Sequence, residues 1–206
     1  MPITIDGTGT ITGATTLAST VASPTFTTPA LGTPASGALT NCTGYAAANF
    51  PAGTVLNVLS ITKTNSFSSA STSFTDITDL TISITPTSAS NKILVLANVS
   101  GSQDVAVGAS YLRLMRGSTA ICIGDTAGSR PVCTFGIASP ATSILASNTG
   151  MNFLDSPGVT TSTTYKIQCA VTAGSGSTYI NRTTTDSDSA SFGRGVSSIT
   201  VMEIKG

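Results

Sequence analysis

Leu80-Thr81-Ile82-Ser83-Ile84-Thr85 alternates apolar and hydroxyl side chains without a break, and Pro86 ends it. A period of two places all three apolar residues on one side of an extended chain, so this is a strand with one buried face. The same rhythm recurs through residues 54–206, while helical periodicity is nearly absent. Asn91-Lys92-Ile93-Leu94-Val95-Leu96-Ala97-Asn98-Val99 is apolar on both faces at its centre, which places it inside a sandwich or at a subunit contact. Residues 111–116 meet Gly117-Ser118, and 119–123 return as a hairpin. Residues 55–61, 132–135, 151–154, 163–171 and 197–204 complete a set of eight to ten strands. Two sheets burying each other's apolar faces form the natural solution, a β-sandwich or jelly roll. The one helix-friendly stretch, residues 44–50, is closed by Pro51 after about two turns.

The N-terminal quarter obeys a different rule. Ser23-Pro24-Thr25-Phe26-Thr27, Thr28-Pro29-Ala30-Leu31-Gly32 and Thr33-Pro34-Ala35-Ser36-Gly37 are three five-residue lines with proline at the same place in each. A period of five fits neither a continuous strand nor a continuous polyproline helix. It fits a short extended piece followed by a turn, once per repeat, with proline fixing φ and glycine allowing the bend. Such an arm has no core of its own, and Phe26 and Leu31, equivalent in successive lines, need cover from neighbouring chains. A flexible Ser/Thr/Gly linker is the plainer reading. The expected division is therefore an extended arm over 1–53 and a β-sandwich head over 54–206.

Charge narrows the partners. Lys and Arg number 9, Asp and Glu 9, and charged residues are 9% of the chain, against about 25% in ordinary globular proteins. With no net charge there is no field to attract nucleic acid. From Gly7 to Thr62 there is no Lys, Arg, Asp or Glu, a surface tolerable when identical neighbours or a larger assembly cover it. The N-terminus has no basic and apolar export pattern, and no apolar run approaches the ~18 residues of a membrane span. A soluble protein made without an export peptide, with no membrane insertion, is the expectation.

Catalytic and metal chemistry find little material. The chain has no histidine, so neither a Ser-His-Asp triad nor a Cys-His pair can form. Cys42, Cys122, Cys133 and Cys169 lack zinc spacing and read as buried thiols, with a Cys122–Cys133 disulfide left open. The aspartates lie mostly in expected turns, where they cap backbone. Asp186-Ser187-Asp188 has the spacing of two calcium ligands without the rest of a loop motif. The glycine pairs around Gly174 to Gly176 and Gly193 to Gly195 read as turns, since they lack the setting of a phosphate loop. No enzyme, cofactor or metal is expected. Arg113 and Arg116 flank Leu112 and Leu114, giving a strand with one basic and one apolar face. Tyr111, Arg113, Tyr179 and Arg182 are the candidates for a ligand-facing surface, because sugars favour aromatic faces beside planar hydrogen-bonding groups; ordinary surface ion pairing with aspartates is the alternative.

Ile5-Asp6-Gly7-Thr8-Gly9-Thr10-Ile11-Thr12-Gly13 and the run from Thr28-Pro29-Ala30-Leu31-Gly32 to Asn41-Cys42-Thr43-Gly44 resemble the start and shaft of tailed-phage fibre proteins, marine and cyanobacterial ones included. Tyr111-Leu112-Arg113-Leu114, Thr164-Tyr165-Lys166-Ile167-Gln168, Tyr179-Ile180-Asn181-Arg182 and the closing Ser197-Ser198-Ile199-Thr200-Val201-Met202-Glu203-Ile204 are similar to the heads that follow such shafts. The resemblance implies an all-β virion structural protein: a homotrimer with a jelly-roll head like those of tumour-necrosis-factor and complement C1q trimers. Its arm, with Pro24, Phe26, Pro29, Leu31 and Pro34, would mediate trimer and virion docking, and its head would face a host surface glycan. The partners implied are sister chains and other virion proteins of tail or capsid, and the place is the virion, assembled in the host bacterial cytoplasm. A capsid decoration, cement or head-fibre protein that stabilises the shell is the alternative; a bacterial adhesin unrelated to phage is a third reading.

Overall fold

The computed structural model describes residues 46–104, 109–137, 146–172 and 176–206. The arm positions Pro24, Phe26, Pro29, Leu31 and Pro34, together with Cys42, lie outside the described residues. Among the described residues a single 3-10 turn, Ala47–Asn49, precedes eleven strands: β1 (Val55–Lys63), β2 (Phe67–Ser69), β3 (Thr75–Ile84), β4 (Lys92–Gln103), β5 (Ser110–Arg116), β6 (Thr119–Ile121), β7 (Phe135–Ile137), β8 (Ser147–Asp155), β9 (Thr163–Val171), β10 (Thr178–Ile180) and β11 (Ser197–Ile204).

The strands form two antiparallel sheets. Sheet A runs β1-β11-β4-β8, with β2 and β10 continuing one end, and sheet B runs β3-β9-β5 with β6 and β7 along its far edge. Three long strands are each interrupted once. β1 and β2 follow one another along β11 and β10, β10 and β11 follow one another along β4, and β6 and β7 share the same edge of β5. With β6 and β7 taken as one strand, and β2 and β10 as short additions, eight principal strands remain. The first, eighth, third and sixth make one sheet; the second, seventh, fourth and fifth make the other. That is the double Greek-key order of a jelly roll.

The inner faces carry the core. Ile77, Leu80 and Ile84 from β3, Ile93, Val95 and Val99 from β4, Leu112 and Leu114 from β5, Ile167 from β9, and Ile199 and Val201 from β11 are all buried. Each such side chain contributes roughly 1.5–3 kcal/mol relative to an exposed position. Cys169 lies among them as a free thiol, as its alternation with Tyr165 and Ile167 requires. The Gly117-Ser118 connection is a two-residue hairpin loop, and Gly117 supplies its positive φ of 57°.

Several expectations are corrected. Of the stretch over 44–50 expected to make about two helical turns, residues 44 and 45 lie outside the described residues and the rest gives one 3-10 turn, because Ala46 provides no side-chain cap and Pro51 closes the segment. The strand expected over 132–135 begins only at Phe135. Arg116 does not join Arg113 on a basic face: it shares the parity of Leu112 and Leu114, pairs in register with Tyr165 and turns to Asp155. Cys122 and Cys133 are half-buried free thiols, with both ionisations pushed up by burial.

Candidate functional site

The outer face of sheet A is nearly free of charge. Residues paired across antiparallel strands share a face, so the register lays out rows. Val58, Met202, Leu94 and Leu154 form one row across β1, β11, β4 and β8. Ser60, Thr200, Leu96 and Asn152 form the next, with the Ser60 and Thr200 hydroxyls 2.8 Å apart. Val55, Ile204 and Lys92 lie on the other side of the first row, and Lys92 is the one charged residue of these three rows. Val58 and Leu154 are 49% and 48% exposed, while Leu94, Leu96 and Met202 are half-buried. This is the strand whose centre is apolar on both faces: Ile93, Val95 and Ala97 point into the core, and Leu94 and Leu96 point out. A contiguous apolar patch on a sheet face marks an interaction surface.

Sheet B is the opposite. Asp76, Gln168 and Arg113 cross its outer face in one row on β3, β9 and β5. Lys166 Nζ donates to Asp76 at 2.8 Å, Gln168 Nε2 to the other Asp76 oxygen at 2.6 Å, and Arg113 Nε to Gln168 Oε1 at 2.8 Å. The Arg113 guanidinium also stacks 4.0 Å over the Phe74 ring. The Lys166 hydrogen bond, with help from Gln168 and the Lys166 charge, holds the Asp76 carboxyl below its ordinary value despite the opposing effect of burial. These groups satisfy one another, and the face is wet and ion-paired.

The four candidate ligand-facing residues divide between the two faces. Tyr111 and Arg113 stand two residues apart on the outer face of sheet B. Tyr179 pairs with Ser102 on sheet A, and Arg182 stacks 4.2 Å over its ring. The structure thus brings Tyr179 and Arg182 together and sets Tyr111 and Arg113 on the other side of the sandwich. Asp186, weighed as a calcium ligand, instead lies between Arg182 Nη1 at 3.0 Å and Arg194 Nη2 at 2.7 Å.

Asn181 explains how that corner is built. Its backbone sits at φ 59°, a left-handed conformation in which asparagine is enriched. Its side-chain amide donates to the carbonyls of Lys63 at 2.8 Å and Asn65 at 3.0 Å, and its Oδ1 accepts from Ser197 at 2.6 Å. One buried residue therefore ties the break between β1 and β2 to the break between β10 and β11. The segment 182–196 leaves the sheet there and folds back over β4: Ser102 Oγ donates to the Arg182 carbonyl, and a Cβ on Gly195 would come within 2.9 Å of the Ser100 side chain. Beside it opens a cleft of about 360 Å³ whose lining includes Ser100, Asn148, Thr183, Ser191, Arg194 and Gly195.

Two buried clusters are internal fastenings. Asp155 on β8 accepts Tyr165 Oη at 2.6 Å and Arg116 Nη1 at 2.8 Å, joining sheet A to sheet B. Burial first, then the Asp155 hydrogen bond and charge, push the Tyr165 ionisation well up, against the opposing effect of Arg116. Glu203 accepts the Thr87 backbone and hydroxyl at 2.6 and 2.7 Å and the Asn91 amide at 2.6 Å. Burial raises its pKa, but those donors outweigh it and hold the carboxylate below its ordinary 4.5. Among the described residues no group of three or more His, Cys, Asp or Glu side chains is placed to hold a metal, and no helix is long and apolar enough to cross a membrane.

No family model matches the chain, and no curated protein does. Among solved structures, the chain is similar to the VP2 subviral particle of infectious bursal disease virus (14% identity, TM-score 0.42, covering 73% of this chain and 33% of that one). It is also similar to T=1 particles derived from the same virus (12% identity, TM-score 0.39, 72% and 35%). The chain thus spans about a third of the length of these neighbours.

Proposed function

We propose that this chain is a structural protein of a bacteriophage virion, a homotrimeric fibre. Its arm, residues 1–53, docks to tail or capsid proteins, and its jelly-roll head is displayed outward for attachment to a host-cell surface glycan. The observation that carries the assembly part is the nearly uncharged outer face of sheet A, with Val58, Met202, Leu94 and Leu154 in one row. An ordinary solvated sheet face alternates apolar-in with polar-out; this one is apolar on both sides at its centre, as a surface shared between copies would be. The number three and the phage setting come from the shaft-like repeats at Pro24, Pro29 and Pro34 and the head segments that resemble fibre proteins. Three copies of a weak site on one axis raise avidity when ligands on the host match their spacing.

Antibody labelling of intact virions, read by electron microscopy, tests the role. Label at the tail is the expected result. Label over the shell moves the chain to the capsid-decoration or head-fibre alternative, and particles without label overturn the virion reading. Deletion of residues 1–53 is expected to leave a soluble head that no longer joins particles.

A further inference from the structure

Three clefts on the described surface differ in how far their polar groups are already engaged. In the cleft of about 180 Å³ beside Lys205, Thr87 and Asn91 are already engaged by Glu203. In the cleft of about 280 Å³ beside Pro157, the Arg116 guanidinium is engaged by Asp155. The cleft of about 360 Å³ beneath segment 182–196 is different, since the Ser100 and Ser191 hydroxyls and the Asn148 amide that line it make no hydrogen bond among the described residues.

Its charge is also incomplete. Arg182 and Arg194 share one carboxylate, Asp186. Asp188, the other carboxylate of the segment, is exposed and pairs with neither arginine, and Asp104 is engaged by the Ser177 amide and the Tyr179 hydroxyl. Arg182 is fixed by its stack on Tyr179, whereas Arg194 gives one nitrogen to Asp186 and keeps its side chain 56% exposed at the cleft. A guanidinium carries five donors in a planar fork suited to an oxyanion.

We propose that this cleft binds an acidic saccharide, with the ring hydroxyls on Ser100, Asn148 and Ser191 and the acid group on Arg194. A neutral lining of hydroxyls and an amide matches a polyhydroxylated ring, and one partly free guanidinium matches one carboxylate. Gly195, flush against Ser100, leaves the floor open where a Cβ would intrude. Ser100 is six residues along β4 from Leu94, roughly 20 Å at about 3.3 Å per residue, so the cleft and the apolar row can be occupied together. This inference deepens the attachment role proposed above and is independent of the assembly face.

Titration of the full chain by NMR with methyl glycosides of glucuronic acid, galacturonic acid and N-acetylneuraminic acid, against methyl glucoside and sodium sulfate, tests it. At least one acidic glycoside is expected to bind with a Kd of a few millimolar, about tenfold tighter than the glucoside or sulfate. Arg194→Gln is expected to remove that tenfold preference, and Asn148→Trp to block binding by filling the cleft, both with an unchanged melting temperature. Silence from all three acids up to about 50 mM overturns the proposal. Equal binding of the glucoside, or equal binding of sulfate alone, overturns it as well. None of these failures alters the mass of the assembly, so the trimer is judged separately.

Discussion

The two outer faces of the sandwich are built from the same alternating strands and solve opposite problems. On sheet B every charge has a partner: Lys166, Asp76, Gln168 and Arg113 form a chain of hydrogen bonds that water can surround. On sheet A the corresponding rows hold Val58, Met202, Leu94 and Leu154, then Ser60, Thr200, Leu96 and Asn152. The inner faces are equally apolar, so folding alone does not require the difference. On the assembly proposed above, what distinguishes them is the neighbour of each face, solvent on one side and sister chains on the other.

The strongest way to break this contrast is to put a charge on each face in turn. Leu94→Lys is expected to weaken self-association by about a hundredfold or more, because an unpaired charge would be buried between copies. Thr81→Lys on the outer face of sheet B is expected to leave the sedimentation profile unchanged. Equal effects of the two would erase the distinction between the faces.

Next in size comes Asn181→Ala, which removes two buried hydrogen bonds, a third that is partly buried, and a residue suited to left-handed backbone. A loss of about 3 kcal/mol is expected in denaturant unfolding. Glu203→Gln is expected to cost about 2 kcal/mol, and it also carries a pH signature. The folded carboxylate sits below its ordinary 4.5, so its contribution is complete above that value and is lost as the pH falls through the folded pKa. The Gln variant should therefore be less stable than the parent near neutral pH and converge with it as the pH falls through the folded pKa; a deficit that stays constant into acid would remove the Glu203 carboxylate from the account. Gln103 has both amide atoms buried without partners among the described residues, and Gln103→Met is expected to raise stability by about 1 kcal/mol. The smallest effect belongs to sheet B: Asp76→Asn should change stability by less than about 1 kcal/mol, since the pair is exposed.

Much of the sandwich was legible because alternation is a local signal. The expected strands over 163–171 and 197–204 coincide with β9 and β11, where Tyr165, Ile167 and Cys169, or Ile199 and Val201, mark the inner face. β2 and β10 were not legible, since three-residue strands carry too short a pattern and exist through pairing with each other across more than a hundred residues. Nor could the sequence show that Tyr111 and Tyr179 lie on opposite faces, because that depends on which sheet each strand joins. Arg116 misled for a simpler reason: it lies an odd number of residues from Arg113, so it turns inward to Asp155 at the strand's end. The outer face of sheet A was half legible. A strand apolar on both sides at Leu94 and Leu96 announced either a core or a contact, and only the register with Met202, Val58 and Leu154 shows that the row continues across the sheet.

The central claim is that the outer face of sheet A belongs between copies of this chain. Native mass spectrometry of the purified protein at micromolar concentration tests it most directly. A species three times the 20.5 kDa chain mass is the predicted result, with the single-chain peak minor. A dominant 20.5 kDa peak that persists as concentration rises would contradict it.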